Sequence, residues 1–289
     1  MHSLKQLLGR ATKGHWAIPH FNISNLEMLK GICEAAKEMR SPVMIGTSEG
    51  ERMFIGLARA IDLVQTYRDE FKLPIFLNAD HTKSVSAAKK AIDAGYPSVH
   101  IDLSKLPYAQ NLKGTAEVVR YARRKNKNIS VEGELGYLAT DSSKIYKGKV
   151  FVDPKSFTKP GEAVKFVRAT GVDRLAPAVG NYHGIAANKK EIHYALIAEL
   201  RRKLPKSVAL VLHGGSGSGD AAFRMAVRAG IANVHISTEL RIAYTKTLKE
   251  TIRKNPDEMT PYKLSEPSVA AVKKLGIKFI KLFGSKGKA

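Results

Sequence analysis

Periodicity constrains this chain more than any other feature of its sequence. Apolar runs of strand length recur about every 30 residues: HWAIPHF from His15, PVMIGT from Pro42, PIFLNAD from Pro74, PSVHID from Pro97, NISVEGE from Asn128, DRLAPAVG from Asp173, SVALVLH from Ser207 and ANVHIST from Ala232. Amphipathic stretches such as LEMLKGICEAAKEM and AEVVRYARR lie between them. Eight βα units predict an α/β fold of the (β/α)8 TIM-barrel type. A doubly wound sheet usually has fewer units and a glycine fingerprint after its first strand, where PHFNIS offers no glycine. The 289 residues fall within the range of one barrel and no linker divides them. Residues 1–289 are therefore expected to form a single domain, with a helical extension from about residue 260 to the C-terminus. In that extension, AAVKKLGIKFIKLF carries an apolar stripe that suits either the barrel's own surface or a second subunit.

Composition narrows the function classes. The single cysteine, Cys33, permits no intrachain disulfide, no run is long enough to span a membrane, and MHSLKQLLGRATKGHW lacks the apolar core of a signal peptide. A cytoplasmic protein without membrane partners is expected. The formal charge of +22, from 48 Lys+Arg against 26 Asp+Glu, would attract polyanions. No nucleic-acid-binding module accompanies that charge, so it reads as a solvated basic surface.

In such a barrel the chemistry lies at the C-terminal ends of the strands. Those ends supply Asn78, Asp80 and His81, then His100 and Asp102, then Glu132 and Glu134, then Asn181 and His183, then His213, then His235, Ser237, Thr238 and Glu239. Several imidazoles and carboxylates converging on one rim suit a metal such as zinc, because carboxylates are costly to bury without a cation. After His213, the run GGSGSGD reads as a glycine turn entering a helix near Ser218, a setting in which backbone N–H groups hold a phosphate. Other chemistries fit less well. No strand ends in the lysine that a Schiff-base aldolase needs, although Lys83 and Lys105 lie just beyond two ends. The turn also misses the last glycine of G-x-S-x-G and the lysine of a P-loop. A metal beside a phosphate loop fits proton abstraction next to a carbonyl, giving an enediolate that attacks an aldehyde.

NADHTKS, SVHIDLSKLPYAQN, VEGELG, GNYHG and LHGGSGSGD occur in an order and spacing that resembles the class II, metal-dependent ketose-bisphosphate aldolases, which include fructose- and tagatose-bisphosphate aldolases. The resemblance runs from PHFNISNLE to KLFGSKGKA. It implies that His81, His183 and His213 hold a catalytic Zn2+, with Asp102 and Glu134 near an alternative metal position. Asp80 would exchange a proton with the aldehyde oxygen. Gly184, Gly214, Gly215 and Ser216, with Thr238, would grip a phosphate, and Asn22 and Ser48 would lie near the substrate. It further implies phosphorylated ketose and triose phosphate substrates and a homodimer or homotetramer.

Four departures concern the substrate rather than the metal. ELGYLATDSS lacks the Gly-Gly of the family's mobile loop, leaving Asp141 as the candidate base. His235 and Ser237 stand where Asn and Asp hold dihydroxyacetone phosphate, and serine cannot replace a carboxylate's charge. MTPYKLSEP lacks the arginine for a second phosphate, for which Lys263 offers a point charge. Ile185-Ala186 replace a Tyr-Lys pair at a monovalent-cation site. The leading reading is a zinc aldolase for fructose 1,6-bisphosphate, with another ketose phosphate, such as tagatose 1,6-bisphosphate, as the alternative. From a different class, a catalytically inactive basic barrel that binds polyanions would show steep salt dependence and no chelator effect.

Overall fold

The computed structural model describes residues 2–136 and 144–289. Eight parallel strands close into a barrel in sequence order. They are β1 (Ile18–Asn22), β2 (Val43–Thr47), β3 (Ile75–Thr82), β4 (Ser98–Ile101), β5 (Ser130–Leu135), β6 (Arg174–Pro177), β7 (Ala209–Leu212) and β8 (Ile231–Ile236). The barrel shuts where β1 pairs with β8, His20 opposite His235. The helices are α1 (Leu4–Gly14), α2 (Leu26–Met39), α3 (Glu49–Ile55), α4 (Leu57–Phe71), α5 (Val85–Ala94), α6 (Tyr108–Lys125), α7 (Pro160–Thr170), α8 (Tyr194–Lys203), α9 (Asp220–Ala229), α10 (Thr238–Lys254) and α11 (Pro261–Leu282). Among the described residues, no helix is long and apolar enough to cross a membrane.

Local chemistry starts several of these helices. Ser3 and Gln6 form a reciprocal capping box before α1, and Ser48 and Glu51 form another before α3. The main core lies between strands and helices. A second apolar cluster joins Leu4, Leu7, Leu8 and Ala11 of α1 to Trp16, Ile18, Met44, Phe76, Ala209 and Ala232. Because several of these sit at strand starts, α1 stoppers the N-terminal end of the barrel. The apolar stripe of α11, including Val272, Phe279 and Ile280, is buried in the chain's own main core.

Above that stopper the barrel interior turns polar. Successive side chains of a strand point to opposite faces, so the inward positions of β1, β3 and β5 include His20 and Asn22, Asn78 and Asp80, and Glu132 and Glu134. Gly46 of β2 leaves room for the His20 ring, which would otherwise lie 2.1 Å from an added Cβ. At the centre, the fully buried Arg174 guanidinium forms an ion pair with Glu132 Oε2 at 2.8 Å and donates to Asn78 Oδ1 at 3.0 Å, Ser98 Oγ at 2.5 Å and Asn233 Oδ1 at 3.2 Å. This one side chain therefore ties β6 to β3, β4, β5 and β8. Removing one partner of a buried ion pair leaves the other charge uncompensated. Arg174→Met is expected to cost about 3–5 kcal/mol of stability, read as a lower urea midpoint; an unchanged midpoint would show that Glu132 does not depend on it.

Candidate active site

A cavity of about 320 Å³ opens at the C-terminal end of the barrel. Asn22, Ser48, Asp80, His81, Asp102, Glu134, His183, Gly184, His213, Gly214, Gly215, Ser216, His235, Ser237 and Thr238 all line it. Of the site residues expected from the sequence, Lys263 does not line this pocket and Asp141 lies outside the described residues.

The ring of His81 projects from a distorted end of β3, where the register with β4 shifts and His81 itself adopts a φ of 40°. Left-handed backbone at a histidine is uncommon and is retained only where its surroundings enforce it. The backbone N–H of His81 donates to His100 Nδ1 at 3.3 Å, and its own Nδ1 lies 2.9 Å from Asp102 Oδ2. Across the mouth, His213 Nε2 lies 2.5 Å from Glu132 Oε1, and its carbonyl accepts from Asn181 Nδ2 at 2.9 Å. The carboxylate beside the outer nitrogen of each imidazole accepts that nitrogen's N–H, so both inner nitrogens present lone pairs. Those inner nitrogens, His81 Nε2 and His213 Nδ1, are 3.1 Å apart. Facing lone pairs at that separation repel unless a cation, a proton or a metal ion, lies between them. Two nitrogens bound tetrahedrally to one zinc at about 2.0–2.1 Å would stand about 3.3 Å apart, so the pair fits a shared metal.

The third expected imidazole is set further back. His183 has its ring centroid 4.8 Å from that of His81 and 6.2 Å from that of His213. Burial and the neighbouring His81 push its pKa down to about 3, which keeps it neutral, the form a metal requires. His100 is nearer, its ring 4.6 Å from both His81 and His213, but it lies fully buried beneath them. Its Nδ1 accepts the His81 N–H, while its Nε2 lies 3.3 Å from Glu134 Oε2 without forming a hydrogen bond. Asp102 and Glu134 also cluster with His81 on its outer side, their donor atoms all within 4.8 Å of one another. Asp102 Oδ1 is taken by the Ser104 hydroxyl at 2.7 Å. Burial, reinforced by Asp102, raises the Glu134 pKa.

Asp80 sits among nitrogen groups. Asn22 Nδ2 donates to its Oδ2 at 3.0 Å, and its Oδ1 faces His235 Nδ1 at 3.3 Å and His100 Nδ1 at 3.6 Å. Burial alone would raise the carboxyl, but His81, His100 and His235 outweigh it and hold Asp80 well below the usual carboxylate range. The sequence reading treats His235 as a substrate contact. In the structure its ring stacks on His20 with centroids 3.5 Å apart, and its nitrogens face Asp80 and Asn233, so it turns toward the chain's own polar groups. Ser237 Oγ, by contrast, has no hydrogen-bond partner among the described residues.

The anion loop differs from expectation in where its helix begins. Gly217 and Gly219 both adopt positive φ, which prolongs the turn, and α9 starts at Asp220 rather than near Ser218. The helix start that lines the pocket belongs to α10, through Thr238. It is stitched to the loop by Glu239 N donating to Ser216 Oγ at 3.3 Å and by Gly217 N donating to Glu239 Oε1 at 2.8 Å. Gly214 must be glycine here: its φ is 60°, and an added Cβ would lie 2.3 Å from the Tyr182 carbonyl oxygen. Lys83, Lys105 and Arg241 bring positive charge to the lining. Lys263 does not line this cavity; it pairs with Glu258 at 3.2 Å.

Several residues of the assembly carry no chemical signal in the sequence. Glu51 accepts from Asn22 at 3.2 Å, Ser24 at 3.0 Å, the Ser48 N–H at 2.7 Å and Arg241 at 2.5 Å, joining β1 to the starts of α3 and α10. His20, Arg174 and Lys190 were equally silent. Only the charge of Arg174, inside an otherwise apolar strand, hinted at a buried partner.

The model of the family "Fructose-bisphosphate aldolase class-II" matches residues 2–288. The chain is 35% identical over 291 residues to a fructose-bisphosphate aldolase of Geobacillus stearothermophilus, covering 99% of this chain and 98% of the relative. It is also 35% identical over 290 residues to a 6-phospho-5-dehydro-2-deoxy-D-gluconate aldolase of Bacillus licheniformis, covering 99% and 96%. Among solved structures, the YdjI aldolase of Escherichia coli K12 superposes with a TM-score of 0.84 at 32% identity, covering 99% of this chain and 98% of that one. Barrel, rim and whole-length similarity agree: the chain belongs to the class-II fructose-bisphosphate aldolase family.

Proposed function

We propose that this chain is a zinc-dependent aldolase that reversibly cleaves fructose 1,6-bisphosphate into dihydroxyacetone phosphate and glyceraldehyde 3-phosphate. The observation that carries the reading is the pair of carboxylate-backed imidazoles, His81 and His213, facing each other at 3.1 Å in the pocket that the glycine loop also lines. His81, His183 and His213 would hold the metal, with Asp102 and Glu134 flanking an alternative position. A metal there supplies Lewis-acid polarisation of the ketose carbonyl.

The remaining work falls to the chain's own groups. Asp80, held ionised, takes the proton of the C4 hydroxyl as the C3–C4 bond breaks, and the electron pair stays on the triose fragment as an enediolate, which is then protonated at C3. In the synthetic direction the C3 proton leaves first, to a base for which Asp141 is the candidate, and Asp80 returns its proton to the new hydroxyl. Backbone N–H groups at Gly184, Gly214, Gly215 and Ser216, together with Thr238, hold the phosphate. Asn22 orients Asp80, and Ser48 shapes the wall through its capping box with Glu51. The same family reading supports a cytoplasmic homodimer or homotetramer, formed through a surface other than the covered stripe of α11.

One observation favours a neighbouring substrate. Ser237 brings no charge, and Lys263 is occupied by Glu258 outside the pocket, so the grip on the substrate's ends differs from the family's. Another ketose phosphate is then the alternative, and one relative at 35% identity is named for a sugar-acid phosphate. The test is triose phosphate release from fructose 1,6-bisphosphate by the purified protein, with EDTA and then with zinc restored. Activity is expected to vanish with chelator and return with zinc. No turnover in zinc-bound protein would overturn the substrate and call for a panel of ketose phosphates. Turnover that EDTA leaves unchanged would overturn metal dependence.

A further inference from the structure

Lys190, in the segment between β6 and α8, is only 6% exposed. Its Nζ lies 2.7 Å from the carbonyl oxygen of Tyr182, 2.9 Å from that of Gly184, 2.5 Å from that of Gly214 and 2.6 Å from that of Ser216. An ammonium has three N–H bonds, so four carbonyls at these distances form a cage around a charge rather than a set of individual hydrogen bonds. Two oxygens come from the segment bearing His183 and two from the loop after β7. The Tyr182 ring adds its face, 4.5 Å from Nζ to the centroid.

Turning four carbonyls toward one point has a consequence for the peptide groups. Each peptide group with its oxygen in the cage presents the next residue's N–H on the other side. Those of Ile185 and Gly217 donate to the Lys144 carbonyl at 3.0 Å and to Glu239 Oε1 at 2.8 Å, bracing the two loops, and those of His183 and Gly215 belong to residues that line the pocket. Four converging carbonyl oxygens repel one another, and a cation at their focus removes that repulsion. Burial pushes the Lys190 pKa down to about 7, with Glu239 the carboxylate that opposes it. The cage, not a salt bridge to a close carboxylate, is what holds the charge in place.

We infer that the Lys190 ammonium is a tethered cation that locks the two loops in their anion-binding conformation, in the place a free alkali-metal ion would take in a carbonyl cage of this shape. Lys190 is thus a positioning residue that acts on the substrate's phosphate through the loop backbone. Phosphate binding in this chain then needs no dissolved monovalent cation. The inference rests on the phosphate-site reading given above.

The experiment measures the affinity of the zinc-loaded protein for inorganic phosphate by calorimetry, at constant ionic strength, in potassium and in tetramethylammonium buffers. The unaltered chain is expected to bind equally in both. Lys190→Ala is expected to lose roughly 10- to 100-fold in tetramethylammonium, the range for charged hydrogen bonds. Potassium or n-propylammonium, which supplies the atoms removed beyond Cβ, should restore part of the loss. A cation requirement in the unaltered chain would overturn the inference, and this arm does not depend on the variant folding. Unchanged affinity in Lys190→Ala, or a loss that no small cation repairs, would overturn it too, since a merely structural lysine is not replaced from solution. If the unaltered chain binds no phosphate in either buffer, the phosphate site falls and the inference with it, whereas the two preceding outcomes leave the site standing.

Discussion

Replacing His213 by alanine is expected to remove bound zinc and turnover together. His213 presents its inner nitrogen to His81 at 3.1 Å while Glu132 fixes its outer one at 2.5 Å. The change deletes a proposed ligand and also takes from the buried Glu132 carboxylate its nearest partner, leaving Arg174 at 2.8 Å and the more distant His100 and His235. Losing an outer partner of a metal ligand typically costs about 10- to 100-fold in affinity, and losing the ligand itself should exceed that. Metal analysis after dialysis against a zinc buffer, beside the fructose 1,6-bisphosphate assay, reads both effects. Undiminished zinc content would take His213 out of the ligand set, whatever happened to the rate.

Asp80→Ala separates chemistry from metal binding. Asp80 lies beside the imidazole pair, and its oxygens face Asn22, His235 and His100. Zinc content should therefore stay near that of the unaltered chain, while turnover falls roughly 10²-fold or more, the usual contribution of a positioned acid or base. The loss should appear in kcat, because proton transfer belongs to the transition state rather than to substrate binding. Near-normal turnover would remove Asp80 from the mechanism. Loss of zinc would instead show that the carboxylate supports the metal site.

Both variants concern residues legible from the sequence, because His213 and Asp80 close apolar runs and a parallel barrel gathers such ends on one rim. Other assignments needed distances. His235 reads as a substrate contact along the chain and does line the pocket, but only closure of β8 against β1 shows that it stacks on His20 and faces Asp80. The glycine turn after His213 was legible, but the helix that completes its pocket is α10 rather than the one next in sequence. Lys190 lies in NKKEI, where nothing distinguishes it from the many surface lysines. Its role exists only once two loops fold around its Nζ.

The sequence by itself determined the eight-strand barrel, the end at which chemistry is sited, and the residue types that reach it. Those features rest on periods of two and 3.6 residues and on local turn chemistry, which are written in short windows. The tertiary structure decided which of those residues meet. Arg174 joins Glu132, Asn78, Ser98 and Asn233 across the barrel, and Asn233 Nδ2 reaches the Ile18 carbonyl at 2.8 Å. The physical reason is that a buried charge is stable only where partners converge from several strands, and barrel closure creates that convergence between segments far apart in the chain.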